Sequence, residues 1–373
     1  MKIEQADIFL FELPLVKNYV TSFGNITKKR SILVKLYSEG LVGYGEGSSL
    51  PFPFYLPEYA DVSFLVLQDI IIPEIIGKSF NHPQEIVESF RKIRGYSFAK
   101  TAVETAFWDL YSQEFNIPLW EILGGVGNII DVGSNLGIIR DKQKLIDEVQ
   151  KKVDDLTPRI KLKIERNWDI KPISIIRENF PTVPLCVDAN SAYTLKDIPH
   201  LKEFDQFNLM MIEQPLAWDD IIDHAELQQH IKTPICLDES ILSAEDARRA
   251  IKIKACQIIN IKPGRVGGLV EAKKIHDICL KNKINIWCGG MLECSVGRFF
   301  NLSIATLIGY SLPADMFSSY DYFADDIVDF PYASFQGKAF VPDNLSNFKV
   351  NDEKVEHYSI AKRQIRVLPD KLC

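Results

Sequence analysis

The amino-acid sequence predicts an α/β protein in which a closed (β/α)8-type barrel follows an α+β region. After residue 128, short β-rich runs alternate with amphipathic helical patterns, which is typical of parallel strands joined by crossover helices. Seven such units and a weaker eighth run match the strand count of a closed barrel. A doubly wound open sheet is the alternative, but it usually carries a glycine-rich turn after an early strand, and the sequence has none there.

The α+β region is predicted over residues 1–125. Residues 32–47 read as a strand, a turn and a returning strand. Apolar residues recur at helical spacing over 90–110, which predicts two helices. The stretch 51–57 is rich in proline and aromatic residues, so we expect a surface loop there.

The barrel is predicted over residues 126–316. Its strands are the runs 129–132, 159–165, 183–188, 209–213, 234–238, 256–262 and 284–287, with the weaker eighth run near 310–316. The last stretch, 317–373, is rich in aromatic and turn residues and cannot make a core of its own. We therefore expect it to pack back onto the first domain.

Charged residues recur at equivalent places in five successive predicted strands. They are Lys163, Asp188, Glu213, Asp238 and Lys262, separated by 25, 25, 25 and 24 residues, one βα unit each. In a barrel these strand ends surround one mouth, where barrel enzymes hold their chemistry. A lone Asp after a strand is most often a helix N-cap, but three converging carboxylates repel each other unless a cation neutralises them. We call these five residues the charge ladder. Oxygen ligands without His or Cys select Mg²⁺ first and Mn²⁺ second, so its three carboxylates predict a metal site.

The run 159–165 alternates charged and apolar residues. Its apolar face must meet the outer helices, so Lys161 and Lys163 are expected to point into the barrel. Buried lysines tend to have a lowered pKa, which suits a general base. Strands two and six lie on opposite sides of an eight-stranded ring, so Lys163 should face Lys262 across the metal. Such a site can remove a proton beside a substrate carboxylate and stabilise the enediolate that results.

Composition narrows the class of protein further. Lys and Arg number 43 against 50 Asp and Glu, a net charge of −7 with no long basic block, which predicts no nucleic-acid partner. No segment has the roughly 18 uninterrupted apolar residues of a membrane span, and the first residues read as a strand and not as a signal peptide. The seven cysteines stand singly, which favours reduced thiols in a cytoplasm over a disulfide framework.

Short motifs surround each residue of the ladder. They are Lys-Leu-Lys at 161–163, Val-Asp-Ala-Asn at 187–190, Ile-Glu-Gln-Pro at 212–215, Leu-Asp-Glu at 237–239, Ile-Lys-Pro-Gly-Arg-Val-Gly-Gly at 261–268, and Cys-Gly-Gly-Met-Leu-Glu at 288–293 followed by Gly297-Arg298. Together they resemble the enolase superfamily over essentially the whole chain. Within it they resemble the muconate-lactonizing subgroup, in particular its o-succinylbenzoate synthases and N-acylamino acid racemases.

The resemblance implies a modified TIM barrel, (β/α)7β, under an α+β capping domain built from the N-terminal region and the C-terminal tail. It implies Mg²⁺ on Asp188, Glu213 and Asp238. Lys163 would be the base that takes the α-proton. Lys262 would stabilise the enediolate in a synthase, or act as the second acid/base in a racemase.

The resemblance also implies which residues hold the substrate. Lys161 would orient the substrate carboxylate and help to depress the pKa of Lys163. The other expected substrate-binding residues are Asn190, Gly290 and Met291, with the loops 21–24 and 52–55 lining the pocket.

The implied activity is the Mg²⁺-dependent syn-dehydration of 2-succinyl-6-hydroxy-2,4-cyclohexadiene-1-carboxylate to 2-succinylbenzoate in menaquinone biosynthesis. An N-acyl or N-succinyl amino acid racemase, or a protein with both activities, is the alternative. A dipeptide epimerase is less favoured because its acidic Asp-x-Asp motif on strand eight is not found. A non-catalytic barrel is disfavoured because both lysines and all three ligands are intact.

Three positions depart from the family pattern. Phe317 and Asp321 add bulk and an acid after strand eight, and Asn135 stands where relatives commonly have Ser. These changes bear on the choice of substrate and leave the reaction class intact. A homo-oligomer is expected by resemblance only.

Overall fold

A computed structural model describes residues 1–21 and 24–367 of the chain, with the side chains of 17–25 outside the description. The strands are β1 (Gln5–Thr21), β2 (Gly24–Ser38), β3 (Leu41–Gly47), β4 (Ile129–Asp131), β5 (Ser134–Leu136), β6 (Ile160–Lys163), β7 (Leu185–Asp188), β8 (Ile212–Glu213), β9 (Ile235–Leu237), β10 (Ile258–Ile261), β11 (Asn285–Cys288), β12 (Lys338–Phe340) and β13 (Ser359–Arg366).

The helices are α1 (Ala60–Val66), α2 (Pro83–Ser89), α3 (Ser97–Phe115), α4 (Leu119–Ile122), α5 (Lys142–Asp154), α6 (Ile170–Asn179), α7 (Ile198–Leu201), α8 (Ile222–His230), α9 (Ala244–Lys252), α10 (Pro263–Val266), α11 (Leu269–Asn282), α12 (Ser295–Ala305) and α13 (Asp352–Tyr358). None of the helices in the described ranges is long and apolar enough to cross a membrane.

Strands β5 to β11 form one parallel sheet in sequence order, with crossover helices between them. The segment 310–315 fills the eighth place. Its Ala314 O accepts from the N–H of Gly133, directly before β5, and its Asp315 N–H donates to the O of Cys288, the last residue of β11, both at 2.9 Å. The segment thus bridges the two ends of the sheet, which closes the predicted barrel.

The first barrel strand differs from the prediction. Residues 129–132 were expected there, but β5 takes that place, and β4 pairs antiparallel with β12. The residues of β4 are exposed, buried and exposed in turn, which is the pattern of a strand covered on one face only. An apolar run alone does not distinguish such a strand from a barrel strand buried on both faces.

The capping domain is built on an antiparallel sheet with the order β13-β1-β2-β3. Helix α3 lies against β3 at close range, because a Cβ at Gly43 or Gly45 would stand 2.1 Å from a backbone oxygen of that helix. Strand β13, near the end of the chain, pairs with β1 from Gln5 to Phe11. The cap therefore contains parts of both ends of the chain, as predicted.

The C-terminal segment contacts both parts of the molecule. Strand β12 lies on the barrel beside β4, whereas β13 lies in the cap sheet. The boundaries at residues 125 and 316 stay a proposal.

Candidate active site

All five residues of the charge ladder lie at the carboxyl ends of neighbouring strands. Lys163, Asp188 and Glu213 are the last residues of β6, β7 and β8, and Asp238 and Lys262 directly follow β9 and β10. Lys163 is in register with Asp188, and Asp188 with Glu213. All five side chains are buried. The spacing of one βα unit in the sequence thus corresponds to one step around the barrel mouth.

The two lysines of β6 both reach the carboxylates inside the barrel. Lys161 Nζ lies 2.9 Å from Glu213 Oε2 and 2.6 Å from Asp315 Oδ2, and Lys163 Nζ lies 2.6 Å from Asp188 Oδ2. Burial lowers the pKa of Lys161, but Asp315 and Glu213 outweigh it, so this pKa lies well above its usual value. The lowered pKa predicted for inward lysines is therefore wrong for Lys161, because carboxylates surround it.

Lys262 approaches the carboxylates from β10, four places away from β6 in the strand order. Its Nζ lies 2.8 Å from Asp238 Oδ2 and 3.2 Å from the Tyr55 hydroxyl oxygen. Burial lowers the pKa of Lys262, but Asp238 outweighs it, so this pKa also lies well above its usual value. Lys163 and Lys262 line the same cavity.

Tyr55 was not predicted as an individual site residue. The loop 51–57 was expected on the surface, and Phe52 and Phe54 are indeed 59% exposed, but Tyr55 is only 7% exposed. Its hydroxyl group donates to Asp238 Oδ2 at 3.1 Å. Nothing in the local pattern distinguishes the one aromatic residue of this loop that points inward.

Two fully buried arginines and one further acid complete the charged network. Arg265 pairs with Asp238, and Arg159 pairs with Asp315. Asp315 belongs to the closing segment 310–315 and accepts a hydrogen bond of 3.2 Å from Asn135 Nδ2. The sequence signal for Asp315 was weak, because it is a single acid in the least regular of the eight barrel runs.

Asn190 connects Lys163 to a second acid beside the ladder. Its Oδ1 accepts from Lys163 Nζ at 2.6 Å, and its Nδ2 donates to Glu239 Oε1 at 3.0 Å. Glu239 Oε2 is buried without a hydrogen-bond partner among the described residues. Burial and the neighbouring Asp238 and Asp188 raise the pKa of Glu239 well above its usual value.

The donor set fits a hard divalent cation. Burial and Asp188 raise the pKa of Glu213 to about 7. Burial also opposes the ionisation of Asp238, yet Lys262 and Arg265 lower its pKa to about 2. The neighbouring cationic side chains thus outweigh burial at Asp238, whereas at Glu213 and Glu239 burial and the nearby carboxylates outweigh them. A bound Mg²⁺ would favour the charged carboxylates.

The described side chains do not converge as metal ligands in their present positions. No three His, Cys, Asp or Glu residues in the ranges 1–21 and 24–367 form a group that could hold a metal ion. The ammonium groups of Lys161, Lys163 and Lys262 lie against the carboxylates instead. Metal binding would require these ammonium groups to withdraw from the carboxylate oxygens.

The cavity lies between the cap and the barrel mouth. Its lining includes all four predicted substrate-binding residues, which are Lys161, Asn190, Gly290 and Met291. Among the departures from the family pattern, Asn135 and Phe317 line the cavity, whereas Asp321 is exposed and is not among the lining residues. The loop 21–24, predicted to line the pocket, falls on residues whose side chains lie outside the description.

The fold and the site together define a barrel enzyme of the enolase type. Residues 6–124 match the N-terminal domain of the mandelate racemase / muconate lactonizing enzyme family, and residues 144–345 match the enolase C-terminal domain-like family. The chain therefore belongs to the enolase superfamily, in its mandelate racemase / muconate lactonizing enzyme branch.

Several known proteins are similar over almost the whole chain. The o-succinylbenzoate synthase of Geobacillus kaustophilus is 42% identical, with 96% of each chain covered. The N-succinylamino acid racemase of Thermus thermophilus is 40% identical, over 92% of this chain and 94% of that protein. The crystal structure of an enolase superfamily member from Listeria innocua superposes with a TM-score of 0.94 at 37% identity, covering 98% of this chain and 99% of that one.

Proposed function

We propose that this protein is a Mg²⁺-dependent o-succinylbenzoate synthase that dehydrates 2-succinyl-6-hydroxy-2,4-cyclohexadiene-1-carboxylate to 2-succinylbenzoate. The observation that carries the proposal is the position of Lys163 and Lys262, which line one cavity and contact different carboxylates of one buried cluster. The synthase from Geobacillus kaustophilus supports the choice of substrate. A cytoplasmic location and a homo-oligomer stay predictions of the sequence.

The proposed mechanism assigns one task to each lysine. When bound by Asp188, Glu213 and Asp238, Mg²⁺ supplies positive charge to the substrate carboxylate. Lys163, as the neutral amine, takes the α-proton on Nζ and then returns it to the departing hydroxyl group. The Lys262 ammonium, no longer held against Asp238 once the metal binds, lines the cavity and stabilises the negative charge that develops on the substrate.

The test is turnover of the cyclohexadiene carboxylate by the purified protein with Mg²⁺ and then with EDTA. We expect aromatic product with the metal and a loss of turnover without it. Lys163→Ala should abolish exchange of the α-proton while Mg²⁺ binding persists, because Lys163 is the base and not a ligand. Exchange that persists in this variant would show that the base is misassigned.

The second candidate is an N-succinylamino acid racemase, and two observations favour it. The relative from Thermus thermophilus carries that name, and both lysines that a two-base racemase needs reach the cavity. In a racemase each lysine exchanges the proton of one enantiomer. Lys163→Ala would then keep exchange with one enantiomer of an N-succinyl amino acid and lose it with the other. Loss with both would contradict this division of the two lysines, and a wild-type protein that exchanges the α-proton of neither enantiomer would exclude the racemase.

A further inference from the structure

Lys29 is a fully buried lysine outside the charge ladder. It stands on β2 of the cap, and its Nζ donates to Ser49 O at 2.7 Å and to Met291 O at 2.9 Å. Ser49 follows β3 of the cap, whereas Met291 follows β11 of the barrel and lines the cavity. One ammonium group thus holds backbone carbonyls of both parts of the molecule together.

The backbone of Met291 is held on both sides. Its carbonyl also accepts from Ser48 Oγ at 3.1 Å, and its N–H donates to Glu293 Oε1 at 2.8 Å. The next residue, Leu292, has a φ of 58°, a left-handed conformation that a leucine adopts only when its surroundings impose it. The wall of the cavity at Met291 is therefore shaped by groups around it and not by local preference.

A second contact from the cap fixes the other end of this segment. The Glu46 carboxylate, on β3, accepts from Cys294 N at 3.2 Å and from Gly297 N at 2.9 Å, at the first turn of α12. Glu46 and Lys29 thus hold 291–297 from two neighbouring cap strands. Burial lowers the pKa of Lys29 to about 8 although Glu46 and Glu293 act in the opposite direction, so keeping an ammonium here has a cost.

We propose that Lys29 is a positioning residue that couples the cap to the substrate pocket by fixing the Met291 carbonyl. The Met291 side chain packs with Leu50 and Tyr55 of the cap in one apolar cluster. Because Lys29 fixes the Met291 carbonyl, the cavity wall at Met291 already has its shape before the substrate binds. This wall would contact the part of the substrate that does not react. This role rests on the proposed function, because it assumes that the cavity takes a succinyl-bearing carboxylate.

The test compares Lys29→Met with Lys35→Met in the full chain. Lys35 is the matched control, because it is also a buried lysine of β2 but binds Asp352 on the cap, at 2.6 Å. Lys29→Met should accelerate amide hydrogen exchange in 290–294 at least about tenfold and weaken 2-succinylbenzoate binding by about tenfold. The KM should rise with little change in kcat, and Lys35→Met should change none of these quantities.

Equal effects of the two variants would mean that Lys29 is only a structural lysine, and the proposal would be overturned. Ser48→Ala provides a milder test if Lys29→Met does not fold. It removes the Ser48 hydroxyl group, which also donates to Met291 O, and should likewise accelerate amide hydrogen exchange in 290–294. An unchanged exchange rate would contradict the proposal. A wild-type protein that does not bind 2-succinylbenzoate would instead refute the proposed function, and hydrogen exchange would still decide the role of Lys29.

Discussion

Asp315 is a single buried acid that contacts the charges of the proposed metal site. It holds Lys161 at 2.6 Å, and Lys161 also lies 2.9 Å from Glu213 and 3.5 Å from Asp188. The ammonium group is thus shared between Asp315 and two proposed metal ligands. Because a cation must compete with Lys161 for those ligands, Asp315 favours metal binding by offering Lys161 another partner.

Asp315→Asn should therefore weaken Mg²⁺ binding. We expect the dissociation constant to rise about tenfold, or about 1.4 kcal/mol, because Lys161 then has only Glu213 and Asp188 as acidic partners. Titration calorimetry with Mg²⁺ measures the change. Asp169→Asn is the control, since Asp169 is equally buried but binds Tyr193 and His200 away from the cavity. An unchanged affinity in Asp315→Asn would refute this role.

The contrast between the ladder and Asp315 also shows which site residues a sequence can reveal. Regular spacing predicted Asp188 and its ladder neighbours, because one βα unit in the chain is one step around the barrel. Tyr55 and Asp315 reach the same charges from a proline-rich loop and an irregular closing segment. Their contacts depend on how the cap and the last strand close the barrel. Such tertiary contacts leave no periodic pattern in the local sequence.

Among the secondary-structure elements, helix α3 joins the cap to the barrel through one buried acid. Glu104 accepts from Leu269 N at 2.6 Å and from Val270 N at 2.7 Å, at the first turn of α11, and from Trp108 Nε1 at 3.2 Å. Helical periodicity over 90–110 predicted two helices, one of them in the place of α3, but it did not predict this contact, because a buried Glu reads as polar in a periodic pattern. The acid satisfies free N–H groups of a helix in the other domain.

Glu104 predicts a pH dependence of stability. Burial raises its pKa from 4.5 to about 7, although three N–H groups act in the opposite direction. Because the pKa of Glu104 is raised in the folded state, the protonated side chain contributes to the free energy of unfolding. This contribution is complete below pH 4.5 and is lost as the pH rises through about 7. Glu104→Gln removes this titration. Between pH 4.5 and pH 8 the free energy of unfolding of the wild type should therefore fall by about 3 kcal/mol relative to that of Glu104→Gln.

Urea unfolding of both proteins at several pH values measures this shift. Glu114→Gln is the control, because Glu114 is exposed on the same helix. Parallel pH profiles for the wild type and Glu104→Gln would show that folding does not raise the pKa of Glu104, which would contradict the prediction.

At the scale of the whole molecule, the candidate active site takes residues from both the cap and the barrel. The barrel supplies the ladder, and the cap supplies Tyr55, Leu50 and, through Lys29, the position of Met291. The cap in turn depends on the end of the chain, because β13 pairs with β1 and covers its outer edge. Composition alone predicted that the tail would return to the first domain, but the register of β13 with β1 depends on the assembled sheet.

Removal of β13 should separate metal binding from substrate binding. A chain that ends at residue 358 leaves the backbone groups of β1 without partners along one edge, which destabilises the cap sheet and exposes it to aggregation. The barrel strands and their carboxylates do not include this segment. We therefore expect Mg²⁺ affinity within about twofold of the wild type and 2-succinylbenzoate affinity at least about tenfold weaker.

A chain that ends at residue 367 keeps β13 and should behave as the wild type in both measurements. Equal loss of both affinities in the shorter chain would mean that the barrel site cannot form without the cap.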